Sequence, residues 1–171
     1  MNKYEMVPEG KLFRIIALRG FKGVRKGCRG GLIAKESNLS QQGNCWVSRD
    51  AQVYGDARVS GNARIQGSAR VYGGATVYED AQVYGKAQVY QWADVHWKAR
   101  VCCNAQVFGA AKISGNAKVS GNARIWDFAW VCDNAWVWGN ARVWAGVWLW
   151  NKSRIRGDYP CDPNAATIGM R

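Results

Sequence analysis

The residue types that carry acid–base chemistry are scarce in this sequence. Its one histidine, His96, stands two positions after Asp94. A carboxylate beside an imidazole raises the pKa of the ring and orients it, which suits a general base. The ordinary alternative is a surface histidine with no chemical role, and the sequence alone leaves both interpretations open.

Thiol and metal chemistry have weaker support. The six cysteines are unevenly spread and include an adjacent pair, Cys102 and Cys103. No Cys-x-x-Cys pair occurs, and one histidine cannot supply a His-rich ligand set for zinc. The sequence also has no phosphate-binding loop and no set of a nucleophile, a base and an orienting group. We therefore expect no metal site and no cofactor.

The composition favours a globular protein outside the membrane. Of 171 residues, 48% are hydrophobic and 21% are charged, which is unlike a disordered tail. No apolar run approaches the roughly 20 residues that span a bilayer, and the short run 15–18 follows Lys11 and Arg14, unlike a secretory signal. We expect a cytoplasmic chain with no membrane partner. Its net charge of +12 is compatible with an anionic partner.

The elements that position these residues come from an internal repeat. Residues 44–151 divide into 18 consecutive six-residue units with no insertion. The fourth position is aliphatic in all 18 units, and the second position is alanine in 16 of them. The sixth and first positions favour glycine followed by asparagine or aspartate. Because no loop is inserted, we expect no pocket around His96.

The repeat predicts a solenoid of short parallel strands. Inward small and aliphatic residues alternate with variable ones, which gives each strand one buried and one outward face. Glycine followed by asparagine or aspartate tolerates the backbone of a sharp corner. Six residues cannot bury a face alone, so successive strands must wrap and stack about 4.8 Å apart.

A period of six with alanine two positions before valine resembles the left-handed parallel β-helix of hexapeptide-repeat proteins. That resemblance implies an all-β triangular solenoid of about six coils, with three of the 18 units in each coil. Residues 30–33 (Gly-Gly-Leu-Ile), 38–40 (Asn-Leu-Ser) and 43–47 (Gly-Asn-Cys-Trp-Val) resemble the lead-in of a poorly characterised group from enterobacteria and their prophages. Proteins that resemble this fold are commonly trimers, and many are acyltransferases with a histidine base.

We expect three segments: an N-terminal β cap over 1–43, the β-helix over 44–157 and a tail over 158–171. The cap holds nine Lys/Arg and three Glu, and it should cover the unpaired strand edge at the end of the solenoid. Its cations form either a solvated face or a phosphate-binding surface. This basic cluster comprises Arg19, Lys22, Arg25, Lys26 and Arg29.

Sorting the outward residues by an 18-residue coil places six aromatic residues on one face. We name this row the aromatic ladder: Tyr54, Tyr72, Tyr90, Phe108, Trp126 and Trp144. Three arginines lie beside it: Arg70, Arg124 and Arg142. The ladder is predicted to pack against another subunit or to bind a partner, including bases stacked on the rings with phosphates near arginine. Stacking within the chain alone is the simplest alternative.

Tryptophan is concentrated in the last two coils, where seven of the ten lie and should point outward on all three faces. Besides the two in the ladder, these are Trp130, Trp136, Trp138, Trp148 and Trp150. So large an apolar collar indicates an interface, which the tail, a foreign partner or a second copy of the chain would cover. Closed symmetry favours self-association, and the resemblance favours a trimer.

These features predict a non-enzymatic, oligomeric β-helix scaffold that binds a protein partner through aromatic and basic faces. The prophage resemblance implies a phage-associated role, for example inhibition of a host complex. Two alternatives stay open. One is an acyl-CoA-dependent acyltransferase that uses His96 with Asp94, and the other is nucleic-acid or nucleotide binding through the arginine–aromatic face and the cap.

Overall fold

The chain folds as an all-β parallel solenoid in a computed structural model that describes residues 2–157 and the strand 167–168. Three sheets, named A, B and C, form the sides of a triangular coil. An antiparallel region precedes the solenoid, and a 3-10 helix spans Glu36–Asn38. No helix in the described part of the chain is long and apolar enough to cross a membrane.

The strands within the coils are short, mostly two residues each. Sheet A contains β1 (Tyr4–Glu9), β2 (Leu12–Ala17), β3 (Arg29–Ile33), β5 (Gln52–Val53), β8 (Arg70–Val71), β11 (Gln88–Val89), β14 (Gln106–Val107), β17 (Arg124–Ile125) and β20 (Arg142–Val143). Sheet B contains β4 (Trp46–Val47), β7 (Arg64–Ile65), β10 (Gln82–Val83), β13 (Arg100–Val101), β16 (Lys118–Val119), β19 (Trp136–Trp138) and β22 (Arg154–Arg156). Sheet C contains β6 (Arg58–Val59), β9 (Thr76–Val77), β12 (Asp94–Val95), β15 (Lys112–Ile113), β18 (Trp130–Val131), β21 (Trp148–Leu149) and β23 (Thr167–Ile168).

Alternating burial explains why a six-residue repeat forms this fold. Around β13, Ala99 and Val101 are fully buried, whereas Arg100 between them is exposed. The second and fourth positions of all 18 units are buried in the same way and fill the core of the solenoid. The predicted inward columns of alanine and aliphatic residues are therefore confirmed.

The register follows the predicted coil length. From β4 to β19 each strand pairs in parallel with the strand 18 residues later, as Gln88 does with Gln106. In the described residues each sheet has seven parallel strands, so the solenoid has about seven coils instead of about six. The additional strands lie at the ends: β3, within the expected cap, pairs with β5, and β22 and β23 follow the eighteenth unit.

The corners of the solenoid have one backbone conformation. Every sixth residue from Arg49 to Gly157 has a positive φ, and nine of these residues are not glycine. Two of the nine are Trp97 (φ 60°) and Cys103 (φ 63°). A side chain in this region costs about 1–2 kcal/mol relative to ordinary backbone. The corner preference for glycine thus follows from geometry, and a corner that carries a side chain other than aspartate or asparagine stores strain.

The cap covers one residue that the repeat places on the outside. Trp46 occupies an outward third position on β4, but only 2% of it is exposed. Its ring meets the ring of Phe21 edge-on, with centroids 5.4 Å apart. Gly30 also lies against this indole, since an added Cβ there would come within 2.6 Å of it. The cap is therefore packed onto the first coil of sheet B.

Lys3 closes the N-terminal end of the core although its side chain is charged. It is fully buried, and its Nζ donates to the carbonyl oxygens of Ser40 (2.5 Å), Gln42 (3.3 Å) and Cys45 (3.1 Å). Burial lowers the pKa of this amine below its usual 10.5. The ammonium thus satisfies carbonyl groups at the open end of the solenoid.

Candidate functional site

The aromatic ladder forms one continuous stack on sheet A. Neighbouring rings lie 4.9–5.7 Å apart between centroids, with interplanar angles of 1–10°. Each ring is half-buried because its faces are covered by the rings of adjacent coils. The parallel strands set this spacing, since each coil contributes one ring. The predicted row is confirmed as geometry, and its role in binding stays a prediction.

The arginines expected beside the ladder lie on the same sheet. Arg70, Arg124 and Arg142 are all exposed, at outward positions of β8, β17 and β20. The Cζ of Arg124 lies 5.5 Å from the centroid of Phe108 and 5.9 Å from that of Trp126. These distances allow cation–π contact. Sheet A therefore presents ring edges with guanidinium groups next to them.

The tryptophans of the last coils occupy all three sheets, as the register predicts. Trp130 and Trp148 stack on sheet C with centroids 5.0 Å apart, and Trp136 and Trp138 lie against each other on sheet B at 4.6 Å. The exposed fractions are 37%, 43% and 36% for Trp130, Trp148 and Trp136, and 40% for Trp150. Stacking covers the faces of the paired indoles and leaves their edges accessible.

The edge between sheets A and C carries further apolar side chains. Phe128 is 76% exposed and Trp92 is 75% exposed, each at the first position of a sheet C unit. Phe128 lies in sequence between Trp126 on sheet A and Trp130 on sheet C. We name Trp126, Phe128, Trp130, Trp144 and Trp148 the aromatic strip. Sequence reasoning missed Phe128, although an aromatic residue at a corner position is the signal that identifies it.

His96 lines a groove on sheet C, and the expectation that no pocket forms around it is wrong. The groove has a volume of about 480 Å³ and is lined by His96, Trp97, Ser114, Trp130, Cys132, Asp133, Trp148 and Trp150, among others. It forms without an inserted loop, because small fifth-position residues lie between large aromatic ones.

The pair of His96 and Asp94 has only part of the geometry of a general base. The distance from His96 Nδ1 to Asp94 Oδ2 is 3.6 Å, and Nδ1 is buried without a hydrogen-bond partner among the described residues. The Asp94 carboxylate instead accepts hydrogen bonds from Thr76 Oγ1 (2.9 Å) and Tyr78 Oη (3.4 Å). The imidazole is fixed by stacking on Tyr78, with centroids 5.0 Å apart. It is not hydrogen-bonded to the carboxylate that should orient it.

The environments of two cysteines, Cys102 and Cys132, disfavour nucleophilic chemistry. The Sγ atoms of Cys102 and Cys103 lie 3.6 Å apart, and burial raises the pKa of Cys102 above its usual 9.0. Burial likewise raises the pKa of Cys132. A raised pKa reduces the thiolate that nucleophilic chemistry requires. Cys161 lies outside the described residues, among which no group of three His, Cys, Asp or Glu is placed to hold a metal ion.

The basic cluster of the cap lies on the surface. All five of its residues are exposed. Arg29 donates to Glu9 at 2.7 Å, and the other four form no ion pair within the described part of the chain. Arg64 of β7 donates to the carbonyl oxygen of Lys22, which joins this cluster to sheet B.

Charge is distributed unequally among the sides of the solenoid. The units that build sheet B carry eight Lys/Arg and one Asp, whereas those of sheet C carry two Lys/Arg and four Asp/Glu. None of the eight cations of sheet B is in an ion pair in the described structure. Sheet B and the cap thus form a basic side, and sheet C is the acidic side that contains the groove.

Fold and surface together define a parallel β-solenoid repeat protein with aromatic and charged outer faces. Residues 51–63, 57–73 and 69–85 match the family model described as YdcK beta solenoid repeat. The chain is similar to that family over these coils, which include the first two rings of the ladder, Tyr54 and Tyr72. No curated protein matches the sequence.

Proposed function

We propose that this protein is a non-enzymatic scaffold that associates with itself and binds a protein partner through its aromatic side chains. The observation that carries the proposal is the aromatic strip, which wraps around the edge between sheets A and C. Phe128, at 76% exposure, lies at its centre. An exposed apolar surface of this kind on a rigid face is typical of an interface.

The first binding partner that we propose for the strip is a second copy of the chain. Closed symmetric assemblies are the commonest arrangement for soluble oligomers, and a trimer is the form that the hexapeptide-repeat resemblance implies. A β-solenoid suits this role because its strands hold outward side chains at fixed spacing. Little conformational entropy is then lost when the rings become buried.

The protein partner would use the faces that the assembly leaves free. The lead-in at residues 30–33, 38–40 and 43–47 supports a prophage context, in which the partner would be a host complex that the scaffold inhibits. The half-buried ladder rings outside the strip, Tyr54, Tyr72, Tyr90 and Phe108, supply the contact surface on sheet A together with the exposed Arg70, Arg124 and Arg142. Rigid aromatic and arginine side chains are enriched among the residues that dominate binding energy.

Measurement of the oligomeric mass by light scattering and native mass spectrometry tests the proposal. We expect a discrete homo-oligomer, and Phe128→Ser with Trp130→Ser should shift it to monomer without loss of β-sheet signal. Trp136→Ser is the matched control, because this indole is exposed to the same degree (36%) but lies on sheet B outside the strip. A wild-type monomer at all concentrations, or equal effects of strip and control variants, would contradict self-association through this strip.

Nucleic-acid binding is a second candidate, and the charge distribution favours it. Eight cations against one acid on sheet B form a linear basic surface that continues into the cap. Such binding should weaken steeply with salt, because counterions are released from the nucleic acid. Arg100→Ala with Lys118→Ala should reduce the salt slope, whereas Arg70→Ala with Arg142→Ala on sheet A should change it less. Binding to single-stranded oligonucleotides that does not depend on salt would exclude this function.

A further inference from the structure

The fifth-position column of sheet C contains a gap between aromatic side chains. On the N-terminal side of this gap, Tyr78 and His96 stack on adjacent coils with an interplanar angle of 5°. The next two coils carry Ser114 and Cys132 at the same position, both buried, and the column resumes at Trp150. Coils repeat at about 4.8 Å, so His96 and Trp150 lie about 14 Å apart along the axis. Two flat rings fill such a space at ordinary stacking distances.

The walls of the gap are fixed by hydrogen bonds and stacking. Trp130 Nε1 donates to Ser114 Oγ at 3.0 Å, and Trp148 Nε1 donates to Cys132 Sγ at 3.2 Å. Both indole N–H groups are thus already satisfied, so these walls offer mainly ring carbons to a ligand. Trp97 lines the groove at the corner. The groove is therefore preformed and mostly aromatic, with a volume of about 480 Å³.

The charge at the open side of the groove is negative. Asp133 lines the groove and also an adjoining one of about 620 Å³, which is lined by Glu79, Asp80 and Lys98 as well. Three carboxylates thus face one ammonium group at this corner. The net charge of the chain is +12, but exposed charges farther away than about 8 Å are largely screened at physiological ionic strength. The local charge favours a cation and opposes a phosphate or carboxylate.

We propose that this groove binds a small planar aromatic cation. Its ring occupies one of the two ring-sized positions between His96 and Trp150, the one beside Cys132, where it stacks on Trp150 and its positive group points towards Asp133. Aromatic walls attract cations through the ring quadrupole, and a nearby carboxylate adds to that attraction. This binding site goes beyond the scaffold function, because its ligand is a small molecule and it needs no second copy of the chain, although it shares Trp130 and Trp148 with the aromatic strip.

Calorimetric titration with a matched pair of ligands tests the proposal. Tryptamine and indole-3-acetate share an indole ring, but the first carries an ammonium group and the second a carboxylate. At about 0.15 M salt, we expect saturable binding of tryptamine with an affinity at least tenfold higher than that of indole-3-acetate. Asp133→Asn should reduce this preference several-fold, because it removes the negative charge that attracts the ammonium group. The corner should keep its structure, because asparagine retains an acceptor for the Asn151 N–H and tolerates the positive φ.

A variant that fills the gap locates the binding site. Cys132→Phe should place a ring between His96 and Trp150 and reduce tryptamine binding more than tenfold. Ser60→Phe is the control, because Ser60 occupies the same column one coil before Tyr78, outside the gap. Ser114→Phe provides an independent filling variant, and circular dichroism verifies that each variant is folded.

Three results would overturn the proposal. They are the absence of saturable tryptamine binding up to millimolar concentration, equal affinity for both ligands, and unchanged binding in both filling variants. Loss of binding in Ser60→Phe as well would also count against it, because the effect would then not depend on the gap. The oligomeric state of the wild type is measured separately, so a failure of the scaffold proposal remains distinguishable from a failure of this one.

Discussion

The Nε1 of Trp148 donates a hydrogen bond to the Sγ of Cys132, which lies 16 residues earlier and one coil below. The same relationship joins Trp130 to Ser114 at 3.0 Å and Trp136 to Ser120 at 3.3 Å. An indole at a third position therefore reaches the fifth position of the preceding coil. Where that residue is small, the indole covers it and satisfies its own N–H.

The rate at which each cysteine is chemically modified should depend on whether its thiol is buried, as that of Cys132 is under Trp148. Cys132 is 7% exposed and its pKa is raised by burial, whereas Cys28 and Cys103 are exposed. We expect iodoacetamide to modify Cys28 and Cys103 well before Cys132, because a buried thiol with a raised pKa supplies little accessible thiolate. Trp148→Phe should accelerate modification of Cys132 and leave Cys28 unchanged. Peptide mass spectrometry over a time course measures each rate, and equal initial rates at Cys132 and Cys103 would contradict the prediction.

The alanine column should tolerate no larger side chain. Ala99 is fully buried in a core that the second and fourth positions of the repeat fill. We expect Ala99→Leu to lower the free energy of unfolding by about 1–3 kcal/mol or more, because added methylene groups strain a filled core. Arg100→Leu is the matched control, since this neighbour is exposed, and its effect should stay within about 0.5 kcal/mol. Denaturant unfolding of both variants measures these changes. If Ala99→Leu left the free energy of unfolding unchanged, the core would be loosely packed.

A glycine at a strained corner should stabilise the solenoid. Cys103 has φ 63°, in the region that favours glycine. Relief of about 1–2 kcal/mol of backbone strain exceeds the entropic cost of about 0.5–1 kcal/mol for glycine. We therefore expect Cys103→Gly to raise the free energy of unfolding by up to about 1 kcal/mol. The adjacent Cys102→Gly should give no gain, because Cys102 is not among the residues with positive φ. Equal effects at both positions would show that the corner is not strained.

The cap should lose stability in acid. Hydrogen bonds from Arg14 and Arg29 lower the pKa of Glu9 from its usual 4.5 to about 2. A carboxyl with a lowered pKa in the folded state stabilises fully above its usual pKa, and this contribution is lost as the pH falls from about 4.5 to about 2. The melting temperature should therefore decrease over this range, and Glu9→Gln should reduce the decrease.

Glu5 provides the control for the acid prediction. It is exposed on β1, the same strand as Glu9, and forms no ion pair within the described residues. Glu5→Gln should therefore leave the acid dependence of the melting temperature unchanged. If Glu9→Gln and Glu5→Gln gave the same profile as the wild type, the ion pairs of Glu9 would not stabilise the cap.

Much of the fold was predictable because the repeat constrains it locally. Alternation specifies which side chains point inward, and an 18-residue coil then assigns each outward residue, such as Phe108 of the ladder, to a sheet. The groove at His96 was not predictable in the same way. It depends on contacts between side chains 16 residues apart on adjacent coils, as between Trp130 and Ser114. A pattern read along one strand does not contain such lateral contacts.

The cap also combines features that the sequence predicts with contacts that it does not. Its basic residues were identifiable from composition, but the burial of Trp46 and Lys3 was not. Trp46 follows the outward pattern of the repeat, and the loop around Phe21 covers it from a distance of 25 residues in sequence. Lys3 is a charged residue whose burial depends on three carbonyl groups at the end of the solenoid. Interactions between non-repeating and repeating segments are not encoded in either segment alone.

Stacking in the aromatic ladder should contribute to stability whatever partner the ladder binds. Tyr90 and Phe108 lie 4.9 Å apart between centroids with an interplanar angle of 4°. A double-mutant cycle with Tyr90→Ala and Phe108→Ala should give a coupling energy of about 0.5–1.5 kcal/mol, because the rings contact each other directly. Tyr54 lies three coils from Phe108, so the corresponding cycle with Tyr54→Ala should be additive within about 0.5 kcal/mol. Urea unfolding of the single and double variants measures both couplings. Additivity in the Tyr90 cycle would contradict the prediction, because this stacked pair would then make no coupled contribution to stability.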